Sequence, residues 1–378
     1  MNSFHGSPPL STDKGILLHR SFLDHKAPAN VTHGRGVISW LLLILLLSAG
    51  PNLARARPYA GDGIGATAGL IQAPISSAPA GSTWPLRAAA IARALDWLHT
   101  QQQPDGSFGV RTADAVFLIA RAGENPDGPA WRPADLSALD ALAGQIPAYL
   151  TDAGRTAKFL RAVAAAGRDV HNFAGVDLAA RLVAYYQPAT GLYHPGHLYY
   201  HTLAVQSLRL AALPAPPPAV DAIIAQQHST GGWEWRIGGP LDEVDTTGLI
   251  LETLPLAAVP VSSTTIISAV NFLAATQHSD GGWSLNADGA TNSNSTALAL
   301  AGLLAAQRDP LSAPFVQGAH TPLSALLALQ AADGGFNFTS AAAGERLMTT
   351  LDALDALLRP YPGDVLPPPR LFAPFTPY

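Results

Sequence analysis

The chain contains no cysteine. That absence excludes disulfides, a thiolate nucleophile, cysteine-ligated zinc and a lipid-modified N-terminal cysteine, so stability has to come from packing. Charge is scarce too: 13% of the 378 residues are Asp, Glu, Lys or Arg, against 48% hydrophobic. That balance supplies a sizeable core and argues against disorder over most of the length. From residue 57 onward 17 basic residues face 25 acidic ones, a formal charge of −8, and Lys158 is the only lysine. An acidic surface repels phosphate backbones, so no nucleic-acid partner is expected. Nor does any stretch alternate in the manner of a half-buried strand.

Long apolar runs are also few. VISWLLLILLLSA at 37–49 follows Lys14, Arg20, Lys26 and Arg35 and precedes a small-x-small ARA at 54–56. The run is shorter than the ~20 residues of a comfortable transmembrane helix. A basic region, a short apolar run and a cleavage-like site read as a signal peptide over 1–56, with an uncleaved membrane anchor as the alternative. A secreted or cell-surface protein is expected, with no transmembrane domain once the leader is cleaved. The remainder divides into a flexible N-terminal segment at 57–84, a helical domain at 85–358 and a Pro-rich tail at 359–378.

What is present is a repeat. QQPDGSF, QPATGLY, QHSTGGW, QHSDGGW and QAADGGF begin at Gln102, Gln187, Gln227, Gln277 and Gln330. Gly stands four residues after each Gln, at Gly106, Gly191, Gly231, Gly281 and Gly334, and an aromatic six after it, at Phe108, Tyr193, Trp233, Trp283 and Phe336. The chemistry suits helix ends: Gln bonds unpaired carbonyls of the helix it terminates, Gly permits positive φ, and the aromatic packs over the neighbouring unit. Between these loops lie Ala- and Leu-rich segments of helical spacing, such as DLAARLVAYYQ before a loop and VDTTGLILETL after one. Six such pairs, twelve helices, predict an all-α helical-repeat architecture. Segments after the loops are apolar nearly all round, as helices packed on both sides must be, which favours a closed barrel.

At these motifs the sequence resembles the terpenoid cyclase and protein prenyltransferase superfamily, whose squalene-hopene cyclase members carry Gln-x-x-Asp-Gly-Gly-Trp repeats. The resemblance covers roughly 85–358 and implies an α6/α6 toroid, a twelve-helix barrel of six helix pairs with a central cavity. One fold hosts many functions, so activity has to be argued from the site. In the cyclase reading Asp245 is the proton donor, since EVDTTG matches two acids, Glu243 and Asp245, of the family's Asp-x-Asp-Asp motif. Thr246 replaces the last one. The prenyltransferase zinc site requires a cysteine, and the Asp-Asp-x-x-Asp magnesium site of other terpene synthases has no counterpart here.

A single exported toroid is also similar to the cobalamin carriers of the transcobalamin and intrinsic-factor type. That resemblance implies a small-molecule ligand, cobalamin among the candidates, held at the cavity without catalysis. Those carriers cap their ligand with a second domain, for which a separate lid protein is the candidate partner here. Asp114, Lys158, His201, Asp245, Asn294 and Thr349 are the expected mouth-lining, ligand-binding residues. Asp114 and Lys158 occupy similar positions on successive inner segments, where a salt bridge is the plain alternative. Helix N-capping is the plain alternative for Asp245, Asn294 and Thr349. His194, His197 and His201 read as rim packing, and neither a metal site nor a cofactor is expected. A third reading is a glycan-active enzyme using two of Asp114, Asp245, Glu252 and Asp352, or a purely structural cell-surface repeat protein.

Overall fold

The computed structural model describes residues 82–364; the expected leader at 1–56, nearly all of the expected flexible segment at 57–84 and most of the Pro-rich tail lie outside the described residues. Those residues form twelve α-helices in two alternating sets. One set precedes the repeat loops: α1 (Trp84–Gln101), α3 (Ala138–Tyr149), α5 (Leu178–Val183), α7 (Pro217–Ile224), α9 (Thr264–Thr276) and α11 (Pro322–Leu327). The other follows them: α2 (Thr112–Arg121), α4 (Ala153–Ala165), α6 (Leu198–Leu210), α8 (Val244–Leu256), α10 (Ser293–Ala305) and α12 (Arg346–Leu357).

The second set forms an inner ring. Each of its helices packs on the next, from α2 to α12, and α12 returns to pack on α2. The first set lies outside, α1 on α12, α5 on α4, α7 on α6, α9 on α8 and α11 on α10, while α3 spans α2 and α4. This is the α/α toroid that the repeat predicts. Side-chain caps start many of the helices: Asp152 accepts from the Arg155 amide, Asn292 from Ser295, and Ser137 and Asp140 form a capping box on α3. Small residues let the inner helices approach. Gly248 of α8 meets the Leu298 carbonyl and Gly302 of α10, and Gly154 of α4 lies against the Tyr200 ring of α6. A side chain at any of these points would force neighbouring helices apart.

The repeat motif is the joint between units. Each motif glycine has positive φ, from +73° at Gly191 to +97° at Gly334, and its bare α-carbon abuts a backbone carbonyl of the next unit. The partners are Ser137, Pro218, Ser268, Thr321 and, for Gly334, Arg93 of α1. The last joint therefore seats the sixth helical unit on the first. Gln277 Nε2 donates to its own Gly281 carbonyl at 2.8 Å and to Phe315 of the next unit at 2.9 Å. Gln102 and Gln227 do the same with Trp131 and Thr265, and Gln330 closes the ring by donating to Ala90 at 2.8 Å. The glutamines thus stitch neighbouring units and do not cap the helices they terminate, because glycine turns the loop so that the amide faces outward across the seam. Gln187 departs from this; its side chain accepts from Thr190 within its own loop.

The motif aromatics are all buried. Their backbone amides donate to a side chain on the following inner helix: Phe108 to Thr112, Tyr193 to His201, Trp233 to Thr247, Trp283 to Thr296 and Phe336 to Thr350, at 2.8–3.1 Å. The Trp233 and Trp283 indoles donate back to Ile223 and Leu273 of their own outer helices. Trp283 and Phe108 also touch Phe315 and Trp131 in the next unit.

A closing joint that depends on a bare α-carbon predicts a position-specific penalty. Gly167 has positive φ (+67°) and open space around it, whereas a methyl group on Gly334 would collide with the Arg93 carbonyl. Gly167→Ala should cost about 1 kcal/mol from backbone strain alone. Gly334→Ala should cost about 3 kcal/mol or more, a melting-temperature drop of ~6 °C or greater. Equal losses in thermal denaturation would show that the seam is not tight.

Candidate functional site

The inner helices point the same way around the ring. The first turns of α6, α8 and α10 each donate to the loop of the following unit: Tyr199 to Trp235, Val244 to Leu285 and Ser293 to Phe338, at 2.9–3.3 Å. Their N-terminal ends consequently gather at one mouth, and the faces they turn inward line a lumen of about 90 Å³. Every inner helix contributes. Asp114, Phe117 and Leu118 come from α2, Lys158 and Arg161 from α4, Tyr199 from α6, Leu249 and Glu252 from α8, Leu298 from α10, and Met348, Leu351, Asp352 and Asp355 from α12. Arg111, just ahead of α2, completes the wall.

For the interior of a hydrophobic protein this lining is strongly charged. Asp114 is the hub at the mouth side: Lys158 Nζ donates to its Oδ2 at 2.8 Å, Arg161 Nη2 to its Oδ1 at 2.8 Å, and Arg111 lies 4.0 Å away. Burial alone would raise this carboxyl, but the three cations overcome burial and hold it well below the usual carboxylate range. Arg111 also forms a fork with Glu345 on the rim, at 2.9 and 2.7 Å. A second cluster lies deeper. Asp355 pairs with Arg121 and Arg359, and Glu252 with Arg359. Burial again opposes ionisation of Asp355, and Arg121 and Arg359 outweigh it.

Other carboxyls nearby lack such partners. Burial pushes Asp352 up to about 7, only partly offset by the Asn294 amide that donates to it at 2.5 Å. Asp245, the second residue of α8, is pushed by burial to about 6, with Ser295 a weak offset, and its Oδ1 has no hydrogen-bond partner. Glu243 is raised to about 7, by burial and by Asp245. Tyr199 is raised by burial and remains a neutral phenol.

Of the expected ligand-binding residues, the structure brings Asp114 and Lys158 together as an ion pair in the lumen wall. Asn294 reaches the wall indirectly, through Asp352. Asp245 is half-buried and is not among the lining residues, although it stands one turn before Leu249 on the same face of α8. Asp245, Asn294 and Thr349 are not caps, because Glu243, Asn292 and Glu345 hold those positions. Thr349 is fully buried and donates to the Phe336 carbonyl at 2.7 Å. His201 is moved off the mouth altogether. It is fully buried, its Nδ1 accepts from the Tyr193 amide and its Nε2 meets the Ala219 carbonyl at 2.9 Å. It does the work that threonine does in the other units. His197 caps α6 and stacks on Tyr200 at 3.8 Å, while His194 accepts from the Gly196 amide, so the three imidazoles serve separate local tasks. Arg161, Arg111 and Tyr199 line the lumen without having been anticipated. Arg161 stands three residues after Lys158, one helical turn along the same face, and that spacing was the available signal.

The raised carboxyls fix a pH trend. A folded-state value above the unfolded one contributes stability that is complete below about pH 4 and is lost as pH rises through the folded value. For Asp352 the loss falls between about pH 4 and pH 7. Asp352→Asn keeps the bond from Asn294 and removes the titration. Relative to this variant, the native chain should lose about 2–4 kcal/mol between pH 5 and pH 8, read as a melting-temperature difference of several degrees. His197 and His201, whose values burial depresses, act in the opposite sense but equally in both proteins. Parallel curves for the two proteins would contradict the assignment.

No family model and no curated protein matches the sequence. Solved structures do. A protein from Actinoplanes is 20% identical, with 72% of this chain and 98% of that one covered at a TM-score of 0.51. The type II terpene cyclase MstE from Scytonema, in its apo form, is 16% identical over 72% of this chain and 98% of its own, at 0.53. A variant of the same cyclase in complex with its substrate geranylgeranyl dihydroxybenzoate matches at 16% identity over 73% and 97%, at 0.54. At such identities the likeness speaks to architecture: the chain has the α/α-toroid fold of the terpenoid cyclases.

Proposed function

We propose that this protein is an exported α/α toroid that binds a small polar molecule noncovalently in its lumen and releases it unchanged. The observation that carries this reading is the lining itself. Charged side chains from α2, α4, α8 and α12 face one another across about 90 Å³, enough for one small ligand or several waters. A hydrocarbon chain would strand those ion pairs without water and without partners, which is costly. Cobalamin, the ligand the carrier resemblance implies, is far larger than this space. It would have to rest across the mouth, beneath a lid supplied by another chain.

One observation favours a second reading, a terpene cyclase. Burial pushes Asp245 up to about 6, so that it holds its proton below that pH, as an acid that protonates an alkene must, and the cyclase MstE shares the fold. Against it, the wall's aromatic rings are those of Phe117 and Tyr199, few for stabilising a carbocation. The glycan-active reading is weaker, since Asp114 and Glu252 are both committed to ion pairs.

Leu298→Trp, which fills the lumen from α10, discriminates between these readings. In a thermal-shift panel of small neutral and charged metabolites, with cobalamin included, the full chain should show saturable stabilisation by a small polar compound that is recovered unchanged. Leu298→Trp should abolish the effect and Asp245→Asn should preserve it. A cyclised product from squalene or geranylgeranyl dihydroxybenzoate, lost in Asp245→Asn, would replace binding with cyclisation.

A further inference from the structure

We propose that the lumen is an oxyanion site in which Arg161 and Lys158 of α4 receive the carboxylate, sulfate or phosphate group of the ligand. This rests on the lumen-binding reading and names the chemistry the lumen selects. The argument is an imbalance between donors and acceptors. Arg161 gives Nη2 to Asp114 and Nη1 to the Gln206 side-chain oxygen at 3.3 Å, while its buried Nε has no partner. The bond to Arg161 fixes which end of the Gln206 amide is oxygen. Gln206 Nε2, on a side chain only 1% exposed, is left as a second donor without an acceptor. Lys158 Nζ carries three protons and bonds Asp114 with one of them.

None of the carboxylates accepts from Arg161 Nε. Both Asp114 oxygens are occupied by Lys158 and Arg161, and Asp355 and Glu252 are held by Arg121 and Arg359. Of the cations in the lumen wall, Arg111 is shared between Asp114 and Glu345, which leaves Lys158 and Arg161 as those with donors to spare. Phe117 stacks under the Arg161 guanidinium, 4.6 Å from its carbon. That contact fixes the plane of the fork without consuming a donor. The gathered N-terminal ends of the inner helices add positive potential at the same mouth. A buried donor without an acceptor is destabilising by itself, and an anion or water accepting from it relieves the penalty. A tetrahedral sulfate or phosphate group is of a size that the cavity admits.

The test is calorimetric titration of the full chain with sodium sulfate at fixed ionic strength maintained by sodium chloride, with methyl phosphate, acetate and glucose as parallel probes. Saturable sulfate binding, weakened about ten-fold or more by Lys158→Gln and by Arg161→Gln and unchanged in Arg155→Gln, which pairs with Asp152 in the first turn of α4 and does not line the lumen, is the expected result. Lys158 is partly exposed, so its variant keeps the test valid if Arg161→Gln does not fold. Equal affinity for methyl phosphate identifies the acidic group of a larger molecule as the natural occupant; sulfate binding alone identifies a free inorganic anion. Either supports the site. Lumen-dependent binding of glucose with no anion binding overturns the anion assignment and leaves the lumen reading standing. No saturable binding by any probe, or sulfate binding undiminished in Lys158→Gln, overturns the oxyanion site.

Discussion

Everything in this molecule depends on the contact between a glycine α-carbon and the backbone carbonyl of the next helical unit. Five such joints share one chemistry, and the fifth, Gly334 on Arg93 with Gln330 bonding Ala90, brings the twelfth helix back to the first. A solenoid built from the same units would leave two apolar ends exposed to water, each needing a polar cap. Closure removes both ends at once. It also confines the inner faces of six helices to a narrow shared space, and what those faces carry then decides what the protein can hold.

The carboxyls that occupy this space fall into two classes, separated by neighbours more than by depth. Asp114 is buried and Asp355 half-buried, and both remain charged, because each is met by two or more cations within ion-pair distance. Asp245 and Asp352 are half-buried like Asp355 but meet only a hydroxyl or an amide, and burial pushes them up to about 6 and 7. Coulomb attraction at low effective dielectric decides the first class and loss of hydration the second. The same balance leaves Arg161 with hydrogen-bonding capacity that no protein group satisfies.

Much of the fold was legible in the sequence because its signals are local and recur. Gln, Gly and an aromatic at fixed spacing reappear wherever the chain turns from an outer helix to an inner one, and Ala- and Leu-rich segments fill the intervals. The glutamine's target was not legible, since whether an amide bonds its own helix or the next depends on how the units stack. The lumen was harder still. Its polar residues stand at helical spacing, as Lys158 and Arg161 on α4 or Asp352 and Asp355 on α12, but each is embedded in a mostly apolar segment and the pattern emerges only when six helices converge. His201 was misread for a related reason. Its equivalents Thr112, Thr247, Thr296 and Thr350 follow their aromatics by different intervals, because the intervening loops differ in length. The shared role of accepting a backbone amide is therefore hidden until the loops are folded.

The central claim is that closure of the ring creates a polar lumen whose unpaired donors are there to be satisfied by a ligand. The most direct test is the electron density of the lumen in crystals grown from the protein as isolated, without added ligand. The account predicts ordered density, from a small molecule or a defined set of waters, within hydrogen-bond distance of Arg161 Nε and Lys158 Nζ. A lumen collapsed on itself, with Arg161 turned onto protein acceptors and no ordered density between the inner helices, would contradict it.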